Sequence, residues 1–292
     1  MNIFVSGSST ILASCLIEEH FRKGDTIFVM DDIACEDIAL ELHNKFSSPQ
    51  IDIVYLLHGE DLINSAGNRT QLQQKTRQQL HFTMMVCNHF AIQSPVPQTL
   101  YLASSDLIYQ AGTEEKSTED AQINPAEFPS SFFNELEEAT QPAQKSGIRT
   151  ILLRLGRMIC RTSAPSFPWL IFGDRHFSSF AVRKADTSWV SLEDAMRAIT
   201  FLEKKTPLSG AVNLCSGDIV KKAEIFNFTG NRLKNQRIFF LPKSLVRLSG
   251  GKYLAGLQEA STKAVPFKLM EAGFLFEDIS LQEYLSAEHF AS

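Results

Sequence analysis

The 292-residue sequence has no run of 18 apolar residues, no basic segment leading into an apolar stretch at its start, and no CxxC pair. The first absence argues against a transmembrane helix and the second against a secretory signal. Five cysteines (Cys15, Cys35, Cys87, Cys160 and Cys215) lie scattered and odd in number, which reads as reduced thiols in a cytoplasmic protein. Lys and Arg total 28 against 33 Asp and Glu, and they form no basic run, so neither a nucleic-acid surface nor a membrane-binding one is expected. The histidines show no metal-ligand spacing, so no metal site is expected. Neither a Gly-x-Ser-x-Gly elbow nor a Walker-type GxxxxGK[ST] turn occurs.

The remainder has globular proportions, 44% apolar and 21% charged, and is long enough for one large α/β domain or two closely joined ones. Its 22 Phe residues read as a Phe-rich core. Ile3-Phe4-Val5 is a strand-like run ending at Ser6-Gly7. A helix is expected from about Thr10 to Lys23, with Ile11, Leu12, Cys15 and Leu16 on one face and Gly24 as its stop. Thr26 to Met30 reads as the next strand and ends on Asp31-Asp32. Strand, turn, helix, strand, acid is the opening of a dinucleotide-binding βαβ unit.

Further elements follow in alternation. Helices are expected over 36–46, 70–91 and 130–145, with strands over 51–57, 99–103 and 148–155. The short gap after the second strand suggests that a strand usual in such folds is missing or vestigial. Residues 111–129 read as a polar loop, and 161–188 are irregular. A helix over 192–204, a strand over 211–214, a helix over 222–233 and a mixed tail complete the chain. This alternation predicts an α/β fold of Rossmann type, a doubly wound parallel sheet covered on both faces.

The turn Gly7-Ser8-Ser9-Thr10-Ile11-Leu12-Ala13 stands where a GxxGxxG phosphate turn would, but keeps one glycine. Ala13 is tolerated in the third position. Thr10 is the departure: its Cβ disfavours positive φ by about 1–2 kcal/mol, and its side chain takes space that phosphates would use. Against this, Ser8, Ser9 and Thr10 offer hydroxyls, and the helix start at Ile11 and Leu12 presents N–H groups to an anion. Asp31 is placed to accept from an adenosine ribose, and it would repel a 2′-phosphate, which favours NAD over NADP. Two readings stay open: retained NAD(P) binding, or a relict turn that binds no cofactor. Leu57, His58 and Gly59 end a strand at the carboxyl edge, where ligands bind in open α/β sheets. His58 is read there as a structural residue or a base.

Several segments together resemble the extended short-chain dehydrogenase/reductase superfamily. Ala103-Ser104-Ser105-Asp106-Leu107-Ile108-Tyr109 is similar to its Ser-Ser-x-x-Val-Tyr element, Leu153-Arg154-Leu155-Gly156 to Leu-Arg-x-Gly, and Ser188-Trp189-Val190-Ser191-Leu192-Glu193-Asp194 to Trp-Ile-His-x-x-Asp. The tail Pro266-Phe267-Lys268-Leu269-Met270-Glu271-Ala272-Gly273-Phe274 resembles the Pro-x-x-Leu-x-x-Ala-Gly-Phe ending of the epimerase-family, sugar-nucleotide-epimerase-like subgroup. Arg69 and Lys75 fit a further segment of that subgroup, with Thr70 where Trp is usual. The resemblance implies a Rossmann core over 1–160, a smaller C-terminal substrate-side lobe with late core elements over 161–292, NAD(P) binding and an unspecified small-molecule substrate. It also allows a homodimer.

Superfamily catalysis uses a Tyr made acidic by a Lys four residues on, because a free Tyr is a poor base at neutral pH. The corresponding positions here fall near Pro129 and Phe133, and no Tyr-x-x-x-Lys occurs in the chain. Ser105 matches the catalytic Ser, and Tyr109 is the candidate substitute acid. Glu137 and Glu138, on the helix where the dyad would lie, read as solvated charges. Two functions follow: an atypical oxidoreductase or epimerase with a non-standard acid/base, or a non-catalytic nucleotide sensor or protein-binding scaffold.

Overall fold

Successive side chains of a strand point to opposite faces, and in the central strands both sets are apolar. Phe4, Val54, Leu56, Leu100 and Leu102 enter one core, while Ile3, Val5, Tyr55, Tyr101 and Ala103 enter the other. Such strands need cover on both sides. The computed structural model describes residues 1–31, 37–46, 49–58, 69–109, 115–123, 125–160, 185–204, 207–225 and 260–286. Within them, β1 (Asn2–Ser6), β2 (Thr26–Val29), β3 (Ile53–Leu56), β4 (Thr99–Ser105), β5 (Arg149–Leu155) and β8 (Gly210–Leu214) form a six-stranded parallel sheet in the order β2-β1-β3-β4-β5-β8.

Helices α1 (Ile11–Arg22) and α6 (Leu192–Glu203) cover one face. Helices α2 (Ile38–Phe46), α3 (Arg69–Ala91), α4 (Ser130–Glu138) and α5 (Gln141–Lys145) cover the other. This is the expected doubly wound α/β fold. The strand suspected missing has no counterpart among the described residues: nothing there pairs with the outer edge of β2. The chain passes from β2 back across β1 to β3, so the strand order reverses between β1 and β3. The carboxyl ends of those two strands therefore flank the crevice where open α/β sheets bind ligands.

Two elements differ from expectation. The helix over 130–145 is two helices, because Pro142 lacks an N–H and restarts the helix as its first turn. A second sheet, β6 (Arg157–Ile159), β7 (Asp186–Ser191) and β9 (Ile219–Lys221), emerges where the sequence reads as irregular or as the lead-in to a helix. Its strands are three to six residues long, too short for alternation to register. Trp189, Tyr284 and Leu281 pack beneath it, the last two from α8 (Leu281–Ser286).

The tail containing Pro266 forms α7 (Phe267–Glu271) and docks against β8. Among the described residues β8 is an edge strand, and two of its outward-facing backbone groups are taken by side chains. Lys268 Nζ donates to Ala211 O at 3.0 Å, and Asn213 N donates to the Glu119 carboxylate at 3.0 Å. Asn213 Nδ2 donates to Ser117 O and Val265 O. No helix of the described residues is long and apolar enough to cross a membrane.

Candidate functional site at the carboxyl edge of the sheet

Gly7 leaves β1 with φ +82°, and a Cβ there would meet His58 N and Leu57 C at 2.8 Å. The one retained glycine is thus required twice, by its dihedral and by the close approach of the β3 end. Thr10 is not strained, contrary to the sequence reading. It sits at φ −75°, ψ 150° as the N-cap of α1, where its Oγ1 accepts from Ala13 N and donates to Gly7 O. A threonine suits that position because extended backbone and a hydroxyl are what an N-cap needs. Ala13 N is thereby used, while the Ile11 and Leu12 N–H groups at the helix start have no intrahelical acceptor. Ser9 is exposed, Ile11 is half-buried and Leu12 is buried in the core.

Asp31 follows β2 and reaches back to the turn. Its Oδ1 accepts from Gly7 N at 2.7 Å and Ser8 N at 2.8 Å, and its Oδ2 accepts from Ser8 Oγ. An internal carboxylate therefore occupies the first two amides of the phosphate turn. Asp31 remains exposed, and a carboxylate has about four lone-pair directions, so one is left for a further donor.

His58 lies on the other lip of the crevice, with its ring edge-to-face on Phe82 at 5.3 Å. Burial pushes its pKa down to about 4, against the pull of Asp31. Its Nε2 is buried with no hydrogen-bond partner among the described residues. A buried ring nitrogen without a partner is uncommon and marks a place where a ligand group would be satisfied. Leu57 is buried, with its N–H on Ser6 O, and Gly59 lies outside the described residues. The α1 start, the exposed Asp31 and the orphaned His58 Nε2 together fit a dinucleotide. Among the described residues no group of His, Cys, Asp and Glu is placed to hold a metal.

Both candidate catalytic hydroxyls are engaged. Ser105 caps the short 3-10 turn that follows β4, its Oγ accepting from Leu107 N at 3.2 Å. Tyr109 is buried. Its hydroxyl donates to Asn213 Oδ1 at 2.6 Å and accepts from Arg154 Nη1 at 3.0 Å. Burial pushes the Tyr109 pKa up to about 12, against the Arg154 charge. Pro129 precedes α4, and Phe133 is buried in the core beneath it.

Glu137 overturns the expectation of a solvated charge. It is buried and takes a two-point contact from Arg154, Nε to Oε1 at 2.9 Å and Nη2 to Oε2 at 2.8 Å, while Ser104 Oγ donates to Oε1 at 2.7 Å. Burial opposes the Arg154 charge, but the Glu137 contacts outweigh it and raise its pKa. The neighbouring Glu138 is exposed, as expected. The helical spacing could have flagged Glu137, since it shares a face with Phe133 and Leu136. Asp106 and Lys222, both buried, and the half-buried Arg157, which the sequence reading passed over, interact as a second charged group.

No protein-family model matches the chain. An epimerase family protein of Mycobacterium leprae is 28% identical over 192 residues, 64% of this chain and 61% of that protein. The match thus spans about three-fifths of that relative's length. The epimerase family protein YfhF of Bacillus subtilis is 24% identical over 98% of this chain and 97% of its own length. The chain has epimerase-family homologues and structural neighbours. Human epimerase family protein SDR39U1, solved with NADPH, superposes with a TM-score of 0.77 at 18% identity, covering 98% of each chain. UDP-glucose 4-epimerase of Thermus thermophilus, solved with NAD, gives 0.68 at 16% identity over 99% of each chain. The sheet and its helices share the Rossmann-like α/β fold of these neighbours.

Proposed function

We propose that the chain binds a nicotinamide dinucleotide, NAD in preference to NADP, across the crevice between β1 and β3, and acts as an epimerase-type oxidoreductase. The observation that carries this reading is the start of α1. Its Ile11 and Leu12 N–H groups face the crevice end of the helix dipole, and the exposed Asp31 carboxylate stands beside them. Ile11 and Leu12 would hold phosphate, Asp31 a ribose hydroxyl, and His58 Nε2 a further polar group of the ligand. A bound nicotinamide supplies the hydride donor or acceptor. The neighbours solved with NADPH and NAD support a nicotinamide ligand, and the charge of Asp31 supports the unphosphorylated ribose. The neighbour that is a UDP-glucose 4-epimerase makes nucleotide sugars the first substrates to try.

A small molecule rather than a nucleic acid or membrane is the expected ligand, given the net charge of −5. Among the described residues no disulfide joins Cys15, Cys87, Cys160 and Cys215, in keeping with a cytoplasmic setting. A homodimer rests on the resemblance alone.

A second reading, a nucleotide sensor or protein-binding scaffold without catalysis, is favoured by one observation. The Ser105 and Tyr109 hydroxyls are committed to structural bonds, with Pro129 and Phe133 where the dyad would lie. Thermal unfolding with millimolar NAD, NADH, NADP and NADPH separates the cases. A ligand at 100 times its Kd adds about 2.7 kcal/mol. The expected result is a shift with NAD or NADH that Asp31→Ala abolishes. No shift with any of the four would sink the dinucleotide reading, and a larger shift with NADPH than with NADH would reverse the preference.

A further inference from the structure

Asp106 directly follows Ser105 at the carboxyl end of β4. Its carboxylate is buried: Oδ1 lies 3.4 Å from Ser105 Oγ, the Thr262 and Ser188 hydroxyls lie nearby, and Oδ2 has no hydrogen-bond partner of good geometry among the described residues. A carboxylate buried for structure alone is normally satisfied at both oxygens, as Glu137 is here. The groups facing it come from separate elements. Arg157 opens β6, Lys222 follows β9, and Cys215 follows β8. The Cys215 thiol is held neutral by burial. One carboxylate thus faces two cations at the edge of the sheet where substrates bind.

Burial lifts the Asp106 pKa to about 6, against the Thr262 hydroxyl and the Arg157 and Lys222 charges. Burial and the Arg157 charge bring Lys222 down to about 7, although its Nζ also donates to Ala260 O at 2.6 Å. Both groups therefore change charge close to neutral pH, where an acid or base is most effective.

We propose that Asp106 is the acid–base residue of a substrate-hydroxyl site at the end of β4, with Lys222 and Arg157 setting its charge and holding the anionic part of the same substrate. This rests on the epimerase-type reading above and supplies the proton acceptor that Pro129 and Phe133 cannot provide. The step is a proton transfer. The substrate O–H bond breaks, its proton forms an O–H bond on Asp106 Oδ2, and the electron pair stays on the substrate oxygen. The ligand chemistry that fits is a hydroxyl donor for Oδ2 joined to a phosphate or carboxylate for the two cations.

The test is calorimetric titration of the NADH-loaded full chain with UDP-glucose, in two buffers of different ionisation enthalpy, from pH 5 to 8. Binding is expected to be linked to a proton with a midpoint near 6. Asp106→Asn should remove the linkage near pH 6 and, in a separate assay with NAD in place of NADH, lower sugar epimerisation, followed by NMR, at least a hundredfold. Asp106→Glu should restore the linkage in part. Lys222→Met should move the midpoint upward and weaken UDP-glucose at least tenfold. Thermal unfolding of each variant confirms that it folds, and Asp106→Glu serves if Asp106→Asn does not. NADH failing to bind wild type would overturn the underlying dinucleotide reading. NADH binding with no UDP-glucose binding, or with UDP-glucose binding that carries no proton, would overturn the Asp106 assignment. So would a proton linkage with its midpoint still near 6 in Asp106→Asn.

Discussion

Arg154 on β5 and Glu137 on α4 form a two-point ion pair, both side chains more than nine-tenths buried, one helical turn past Phe133. The pair continues through Tyr109 to Asn213 on β8, with the Arg154 guanidinium over the Tyr109 ring at 5.1 Å from its centroid. A charge left alone in such a site is costly, whereas the pair as a whole is not. Glu137→Gln or Arg154→Met is therefore expected to destabilise by about 3–5 kcal/mol in urea unfolding. The double change Glu137→Leu with Arg154→Met should recover most of that loss. Additive losses would show that the two do not interact.

Thr10 caps α1 in unstrained backbone. Thr10→Ala should lower stability by about 1 kcal/mol, the usual worth of an N-cap. Thr10→Gly, which restores the second glycine of the phosphate turn, should leave the thermal response to NADH within about twofold in Kd, because no strain is relieved. A tenfold gain in affinity would show that the Thr10 side chain obstructs the ligand.

His58 makes the fold sensitive to acid. Its pKa is lowered to about 4, so between there and about 6.5 the unfolded chain binds more protons than the folded one. This stability is present above pH 6.5 and is lost as the pH falls through 4, up to about 3 kcal/mol in total. His58→Phe should abolish that part of the acid loss. Equal slopes for wild type and variant between pH 7 and 4 would contradict the burial of this ring.

His20, at the opposite end of the sheet, has the reverse sign. It is buried, with Nδ1 at 2.9 Å from Asp25 and Nε2 near Tyr55 and Glu203, and Lys23 also faces Glu203. Burial lowers its pKa, but the contacts with Glu203 and Asp25 outweigh this and leave it raised. Its contribution is fully present below about pH 6.5 and is lost as the pH rises through the folded value. His20→Gln should therefore cost more stability at pH 6 than at pH 8, in denaturant titrations at the two values. The lowered pKa values of Asp25 and Glu203 add a separate loss on acidification.

Glu119 accepts the buried Asn213 N–H and also approaches Lys268 N. Glu119→Ala would strand that N–H, at an expected cost of about 1–3 kcal/mol. Lys268→Met, which frees only a carbonyl lone pair on Ala211, should cost less. A neutral Glu119→Ala would mean that the tail does not depend on this contact.

The opening of the fold was legible because each element there is determined locally. A β-branched run, Gly7, a helical stripe and Asp31 follow within one βαβ unit, and the structure places them accordingly. The Thr10 reading failed because its position in a motif was read in place of its backbone. Cap or left-handed turn is decided by the chain after Gly7, and a motif does not record φ. Glu137 and Asp106 were missed for another reason. Their partners are distant in sequence, on β5 for one and on β6 and after β9 for the other. Polar residues become buried only when such partners arrive, and that is a property of tertiary packing.

The occupied outer side of β8 has a consequence for how copies of this chain could meet. Two of the groups a neighbouring strand would use, the Ala211 carbonyl and the Asn213 N–H, are already engaged by Lys268 and Glu119, so a second molecule arriving there finds the row of donors and acceptors interrupted. Growth of the sheet from one molecule into the next is disfavoured at those two positions. A copy adding a strand there would first have to displace the contacts of Lys268 and Glu119.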